Sequence, residues 1–294
     1  MLPVNPNTSA AHSASATVPI MAWWDPPADG ATNMGFDEAL AFEAMRLDRV
    51  LVRISTWSQP TLSLGAFQAI GEARARGDLT AIPIVRRPSG GGAILHGSDV
   101  TLAVAVPRDH PCGGTPQRLY DTVHAALVAE LEGRGITAGL SAGGATGMPG
   151  AAGSNPPAGP PAEETFLCFD RRATGDVVVP VADGRRGTDT KILGSAQRRL
   201  QGAVLQHGSL LLQTNHLVPE SLRHPGLDAL PSKGGSPVGW GPRGIDLVRG
   251  WLKRLAEALG EGLEEPAGPF IPSPAAGVKE GVDRFRQDSW NGRR

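Results

Sequence analysis

Residues 86–107 read RRPSGGGAILHGSDVTLAVAVP. Two arginines and a proline run into Gly90, Gly91 and Gly92, His96 comes four residues later, and an apolar stretch ends at Pro107. Glycine has no Cβ, so its backbone adopts positive φ and approaches a ligand closely. Successive N–H groups in such a loop can cradle an anion or a carbonyl oxygen. The residues after the glycines decide the fold. A phosphate-binding P-loop continues into Gly-Lys-Ser/Thr, and a dinucleotide fingerprint opens a helix. Here the chain runs into a strand-like stretch instead. A tight hairpin is the plainer reading of three glycines, but Arg86, Arg87 and His96 beside them favour a ligand loop.

Around this stretch, strands cluster without a helix between each pair. NMGFDEALAFEAMRLD (33–48) places Phe36, Leu40, Ala44 and Leu47 at helical spacing. Asp37 and Glu38 then fall in a first turn capped by Thr32 or Asn33. VLVRIST (50–56), TLSLGAF (61–67), AIPIVRRP (81–88) and VTLAVAVP (100–107) read as strands. Pro116 opens a helix with the stripe Leu119, Val123, Leu127 and Leu131. Strand-like text resumes in FLCF, DVVVPV, KILGSA and AVLQHGSLLLQ. A break at 231–244 precedes a last helix with the stripe Leu247, Trp251, Leu255 and Leu259. This order predicts an α+β fold, a mixed or largely antiparallel sheet with packed helices, and not a doubly wound one.

Residues 141–162 carry no charge and almost no large side chain, too little to build a core. They read as a flexible insertion, with an interdomain linker as the alternative. Residues 1–20 read as a disordered leader and 21–294 as a single domain. The leader lacks the positive start and apolar core of a secretory signal. No apolar run is long enough for a membrane span. A net charge of −1 argues against a nucleic-acid-binding surface. Two cysteines, Cys112 and Cys168, make no disulfide scaffold, which points to the cytoplasm.

Three further stretches carry chemistry. Cys168, between Leu167 and Phe169, is by itself more often a small buried hydrophobe than a nucleophile. Of 28 basic residues only four are lysines, so Lys191 in TKILGSAQ stands out. A lysine is a compact charge on a flexible stem, suited to a thiolate or a carbonyl oxygen, or simply to a strand edge. His207 in QHGS is either a satisfied core group or a site wall.

Together these stretches resemble the lipoate–protein ligase A and octanoyltransferase family, which shares its class II synthetase-like catalytic fold with biotin–protein ligases. The matching blocks are NMGFDEAL (33–40), TLSLGAFQ (61–68), RRPSGGGAILH (86–96), KILGSAQRR (191–199) and GAVLQHGSLLL (202–212). Cys168-Phe169-Asp170 upstream of the Lys-x-x-Gly-Ser-Ala-Gln block is similar to the LipM-type branch, as is the closing DSWNGRR. Departures are Gly92 and Gly97, where that branch has Arg and Asp, and the longer stretch 181–189.

The resemblance implies an octanoyltransferase of protein lipoylation. Octanoyl would pass from acyl carrier protein to a Cys168 thioester, then to a lysine of a lipoyl domain or of glycine cleavage H protein. Cys168 and Lys191 would be catalytic. Arg86, Arg87, Ser89, Gly90, Gly91, Gly92, His96, Gly194, Ser195, Ala196, Gln206, His207 and Gly208 would bind substrate. The resemblance implies no cofactor and no metal, no nucleic-acid or membrane partner, and a monomer. Three alternatives remain at this level: an ATP-dependent lipoate–protein ligase, a lipoyl or octanoyl amidotransferase, and a non-catalytic acyl-binding homologue.

Overall fold

In a computed structural model of the chain, the glycine loop lies between two sheets. The structure describes residues 19–143, 165–180, 189–200, 202–229, 239, 241–266, 270–273 and 276–293. Residues 1–18 of the expected leader 1–20 and most of 141–162 and 231–244 lie outside these residues, and Ile20, expected in the leader, is instead the buried first residue of the large sheet's first strand. The large sheet has eight strands: β1 (Ile20–Trp24), β2 (Leu51–Ser55), β6 (Asp99–Pro107), β7 (Gly139–Leu140), β8 (Val177–Pro180), β9 (Asp189–Leu200), β10 (Ala203–Leu211) and β11 (Leu263–Glu264). Their order is β11-β1-β2-β6-β10-β9-β8-β7. The pairs β11–β1 and β1–β2 are parallel and the others antiparallel. The small sheet sets β3 (Thr61–Leu64) between β4 (Ile84–Arg86), parallel, and β5 (Ile94–His96), antiparallel. The expected mixed, largely antiparallel α+β architecture is what the chain adopts.

Strand alternation explains the layers. On β6, Val100, Leu102, Val104 and Val106 face α3 (Pro116–Gly133) and α4 (Pro242–Leu259), and join their buried stripes in the main core. Ala103 and Ala105 face the other way, where small side chains let α1 (Gly30–Leu47) lie close against the sheet. Trp251 is fully buried, and its Nε1–H donates to the Val123 carbonyl at 2.9 Å, tying α4 to α3. A buried side chain of this kind contributes roughly 2–3 kcal/mol.

Three sequence expectations are corrected. Helix α1 begins at Gly30 under an Asp29 cap, whose Oδ1 accepts from the Thr32 N–H at 2.7 Å. Asp37 therefore sits in the second turn and is buried. FLCF is not a strand. Phe166 and Leu167 pack on the small sheet's core, and Cys168–Asp170 form one 3₁₀ turn. Beyond α4 the chain adds α5 (Val278–Phe285), packed on α1, and α6 (Asp288–Asn291). A short helix, α2 (Ile70–Ala75), also lies between β3 and β4.

Candidate active site

Cys168 and Lys191 come from different layers. Cys168 is fixed by backbone pairing: its N–H donates to the Ala93 carbonyl at 2.7 Å, and the Ala93 N–H donates to the Phe166 carbonyl at 3.0 Å. Lys191 comes from β9 of the large sheet. There Val177 opposes Leu193 while Val178 opposes Lys191, so Ile192 is an extra residue in the ladder. This bulge lets two neighbours, Ile192 and Leu193, both enter the main core. Lys191 and Gly194 are left together on the side of the site. A Cβ on Gly194 would stand 2.5 Å from Lys191 Cε, so the lysine stem folds back only over a glycine. That is the physical content of the Lys-x-x-Gly spacing.

The Lys191 ammonium is 3.5 Å from Cys168 Sγ. It also donates to the Cys168 carbonyl at 3.2 Å and the Arg171 carbonyl at 3.4 Å. Its counter-charge is Asp176, at 2.8 Å, with both side chains buried. Asp176 is held in turn by the Tyr120 hydroxyl at 3.0 Å and the Ala173 N–H at 2.7 Å. Burial, with the Asp176 carboxylate beside it, pushes the Tyr120 phenol up, so it stays a donor. Sequence reading missed Asp176 and Tyr120.

The glycine loop closes over the cysteine. Arg87 is buried, and its guanidinium donates to the carbonyls of Gly90 (2.8 Å), Gly92 (2.6 Å) and Ser63 (2.8 Å). Burial pushes Arg87 down to about 10, against the pull of Cys168, so it remains a cation at neutral pH. With the loop carbonyls turned to Arg87, the N–H groups of Gly90, Gly91 and Gly92 have no intramolecular acceptor among the described residues. Gly91 has φ +91°, and a Cβ on Gly92 would meet Cys168 N and Cα at 3.1 Å.

A narrow, mostly apolar cavity opens beside Cys168. Of the predicted site residues, Arg87, Gly91, His96, Gly194, Ser195, Ala196, His207 and Gly208 line it with Cys168. Met34, Trp57, Ser63, Ile94, Thr101 and Ser209 also line it and were not foreseen. Trp57 stacks on His96 at 3.8 Å and bonds Thr101 through Nε1 at 3.1 Å.

Three Ser–His pairs surround the cavity. His96 bridges Ser63 at 2.8 Å and Asp99 at 2.7 Å. Burial raises the Asp99 carboxyl, but the His96 charge and bonds from His96, Ser209 and Gly97 outweigh it and hold Asp99 below the usual range. His207 bridges Ser89 and, at 3.1 Å, Asp37. Asp37 is likewise held low: bonds and charge from His207 and Arg53 outweigh its burial. His124 joins the Gly175 carbonyl and the Ser195 hydroxyl, each at 2.7 Å. Burial pushes His124 down to about 4, so it is neutral. Its Nδ1–H donates to Gly175 and its Nε2 accepts the Ser195 proton.

Arg86 and Gln206, predicted to bind substrate, face away from the cavity. Arg86 donates to the carbonyls of Asn291, Gly65 and Gln68 at 3.0, 2.9 and 2.7 Å. It clamps the C-terminal segment and the 65–68 loop. Gln206 lies on the other face of β10 from His207 and accepts from Gln197 at 2.7 Å. Gly90 borders the outer side of the loop, and Ser89 spans it, bordering the same side while its hydroxyl bonds the cavity-lining His207. Among the described residues no cluster of His, Cys, Asp or Glu suits a metal, and no helix is long and apolar enough to cross a membrane.

A family model for the lipoyl protein ligase A/B catalytic domain matches residues 29–230. The octanoyltransferase LipM of Kyrpidia tusciae is 30% identical over 292 residues, covering 90% of this chain and 95% of that protein. That of Symbiobacterium thermophilum is 33% identical over 238 residues, covering 79% and 75%. Among solved structures, a bi-partite lipoate protein ligase from Thermoplasma acidophilum, studied with its E2 lipoyl domain, superposes with a TM-score of 0.59 at 18% identity, covering 95% of this chain and 97% of that one. A lipoate-protein ligase A bound with ATP gives 0.61 at 19% identity, covering 94% and 98%. At such identities these two establish the shared fold.

Proposed function

The chain belongs to the lipoyl protein ligase A/B catalytic domain family, and from that membership we propose an octanoyltransferase that works through a Cys168 thioester. The observation that carries the reading is the buried Lys191 ammonium 3.5 Å from Sγ of Cys168, which lines a cavity together with Gly91 of the glycine loop. Kinship with LipM octanoyltransferases over most of both chains supports the acyl group and the reaction class.

The groups present supply each step. Cys168 Sγ attacks the carbonyl carbon of an octanoyl thioester carried by acyl carrier protein. A C–S bond forms to Cys168, the carrier's C–S bond breaks, and the proton given up by the Cys168 thiol ends on the leaving carrier sulfur. One thioester replaces another, so the exchange is near energy-neutral and needs no ATP. Lys191 places positive charge beside the sulfur as charge moves through it. The free N–H groups of the glycine loop are the donors for negative charge developing on the carbonyl oxygen. A lysine amine of a lipoyl domain or of glycine cleavage H protein then attacks the acyl-enzyme. A C–N bond forms, the Cys168 C–S bond breaks, the proton lost by the amine returns to the Cys168 sulfur, and the amide product draws the reaction forward. The apolar cavity wall of Met34, Trp57 and Ile94 holds the alkyl chain. Arg87, His96, Ser195 and His207 shape the pocket around it. We place the protein in the cytoplasm, as a monomer whose residues 21–294 form one domain.

The test is intact mass after mixing the protein with octanoyl-acyl carrier protein, without ATP. The expected result is an octanoyl adduct that neutral hydroxylamine removes and that Cys168→Ser lacks. An unmodified protein that instead loads a lipoyl domain from free lipoate and ATP would overturn the reading in favour of a ligase.

A further inference from the structure

Beside the cavity, on the outer side of the glycine loop, lies an open groove of about 600 Å³. Its wall is shared with the active site. Ser89, Gly90 and Gln197 line the groove, while their chain neighbours Gly91 and Ala196 line the cavity. The groove also presents Arg198, Arg199 and Arg293, and no acidic residue among those described. At its rim Phe67 is 71% exposed.

Each arginine has a different attachment. Arg198 donates to the Pro88 carbonyl at 2.8 Å, which leaves the rest of its guanidinium at the groove. Arg293 is exposed and lies over the Trp290 ring at 3.2 Å. Arg199 is exposed near the end of β9. The charges are close enough to act on one another: partial burial, and then Arg198 and Arg284 nearby, hold Arg293 below its usual value. The whole chain has a net charge of −1, so this is a local concentration of positive charge and not a general property of the surface. An exposed aromatic in the same groove as three arginines matches the composition of a protein-docking surface.

We propose that this groove is the docking surface for the acyl donor, an acidic carrier protein whose thioester arm enters the cavity past Gly90. The inference rests on the octanoyltransferase reading above. Two arguments select the donor over the acceptor domain. The donor's arm is joined to its protein by a phosphodiester, which guanidinium groups bind in a bidentate manner, whereas the acceptor's lysine arm carries no phosphate. The groove also borders the loop whose N–H groups receive the thioester carbonyl. Opposed charges of this kind act chiefly on the association rate and weaken with salt.

The test is Arg199→Glu combined with Arg293→Glu, with Phe67→Ala as a second variant that leaves charge unchanged. Acylation of Cys168 is followed by mass spectrometry with two donors, octanoyl-acyl carrier protein and the soluble thioester octanoyl-N-acetylcysteamine. With the protein donor, the charge-reversed variant is expected to lose about tenfold or more in rate at low salt, and its salt dependence should flatten. Phe67→Ala should slow the protein donor alone. Rates with the soluble thioester should stay within about twofold of wild type, because the cavity is untouched. Equal losses with both donors, no loss with either, or a loss confined to transfer onto the lipoyl domain would overturn the proposal. A wild-type protein that neither donor acylates would instead sink the octanoyltransferase reading beneath it.

Discussion

Lys191 is held by shape as well as by charge. Its stem crosses the bare α-carbon of Gly194, where a methyl group would stand 2.5 Å from Cε. Gly194→Ala therefore should displace the ammonium by about an ångström, enough to slow Cys168 acylation about 100-fold. A thermal melt should show the fold intact, and an acylation rate equal to wild type would refute the packing argument. Asp176→Asn acts differently. It leaves a buried ammonium without its carboxylate, a loss of roughly 3–5 kcal/mol, which should appear as a lower urea midpoint. Lys191 was legible in the sequence because the chain rarely uses lysine and because Gly194 comes at a fixed interval after it. Asp176 was not, since nothing in GDVVVPV marks its acid as the partner of a residue one strand away. Asp37 looked like a first-turn acid serving the helix dipole, whereas its real partners, Arg53 and His207, lie on two other strands. His124 sat unremarked on α3 because its role depends on Gly175 and Ser195.

At the scale of elements, the glycine loop is positioned from behind by α6. The Trp290 indole donates to the Arg86 carbonyl at 2.9 Å, and Asn291 Oδ1 accepts from the Arg86 N–H at 2.8 Å. Trp290→Ala should free this end of β4 and speed amide hydrogen exchange in residues 86–92, with a smaller effect on the main core. Unchanged exchange there would mean that Arg86 holds the loop without α6. The same contacts explain a misreading. RRPSGGG looks like a row of ligand-binding groups, but Arg86 and Arg87 point opposite ways, one to the C-terminal segment and one into the loop. Only Arg87 reaches the cavity. Gln206 and His207 divide for the same reason, since neighbours on a strand face opposite sides. FLCF read as a strand because all four residues are apolar. Its halves serve different neighbours, Leu167 the small sheet and Phe169 the cluster with Ile94 and Leu211. The long strands and the helices α3 and α4 were readable because one stripe or one alternation meets a continuous core. The helices α5 and α6 were not, being too short to show a period.

For the molecule as a whole, acid is the exposed flank of stability. His124 titrates near 4 in the fold, against an ordinary value of 6.5. As pH falls through this window the unfolded chain takes up a proton that the folded chain refuses, so stability present above pH 6.5 is lost, by about 3 kcal/mol on complete descent. Asp37 and Asp99, held below 3.8, extend the loss to still lower pH. Urea unfolding at pH 7 and at about pH 4.5 should show this decline in wild type and a shallower one in His124→Gln. Equal slopes would assign the acid sensitivity elsewhere. The placement of Cys168 has a different consequence. The thiol is pinned to the edge of the small sheet and the ammonium springs from the large one, so neither sheet alone contains a reactive pair. The distance between sulfur and nitrogen is in effect a gauge of whether the two layers have met in register. In the octanoyltransferase reading proposed above, a chain that has built only one of them lacks the pair, so acylation of Cys168 should begin only once both layers have formed.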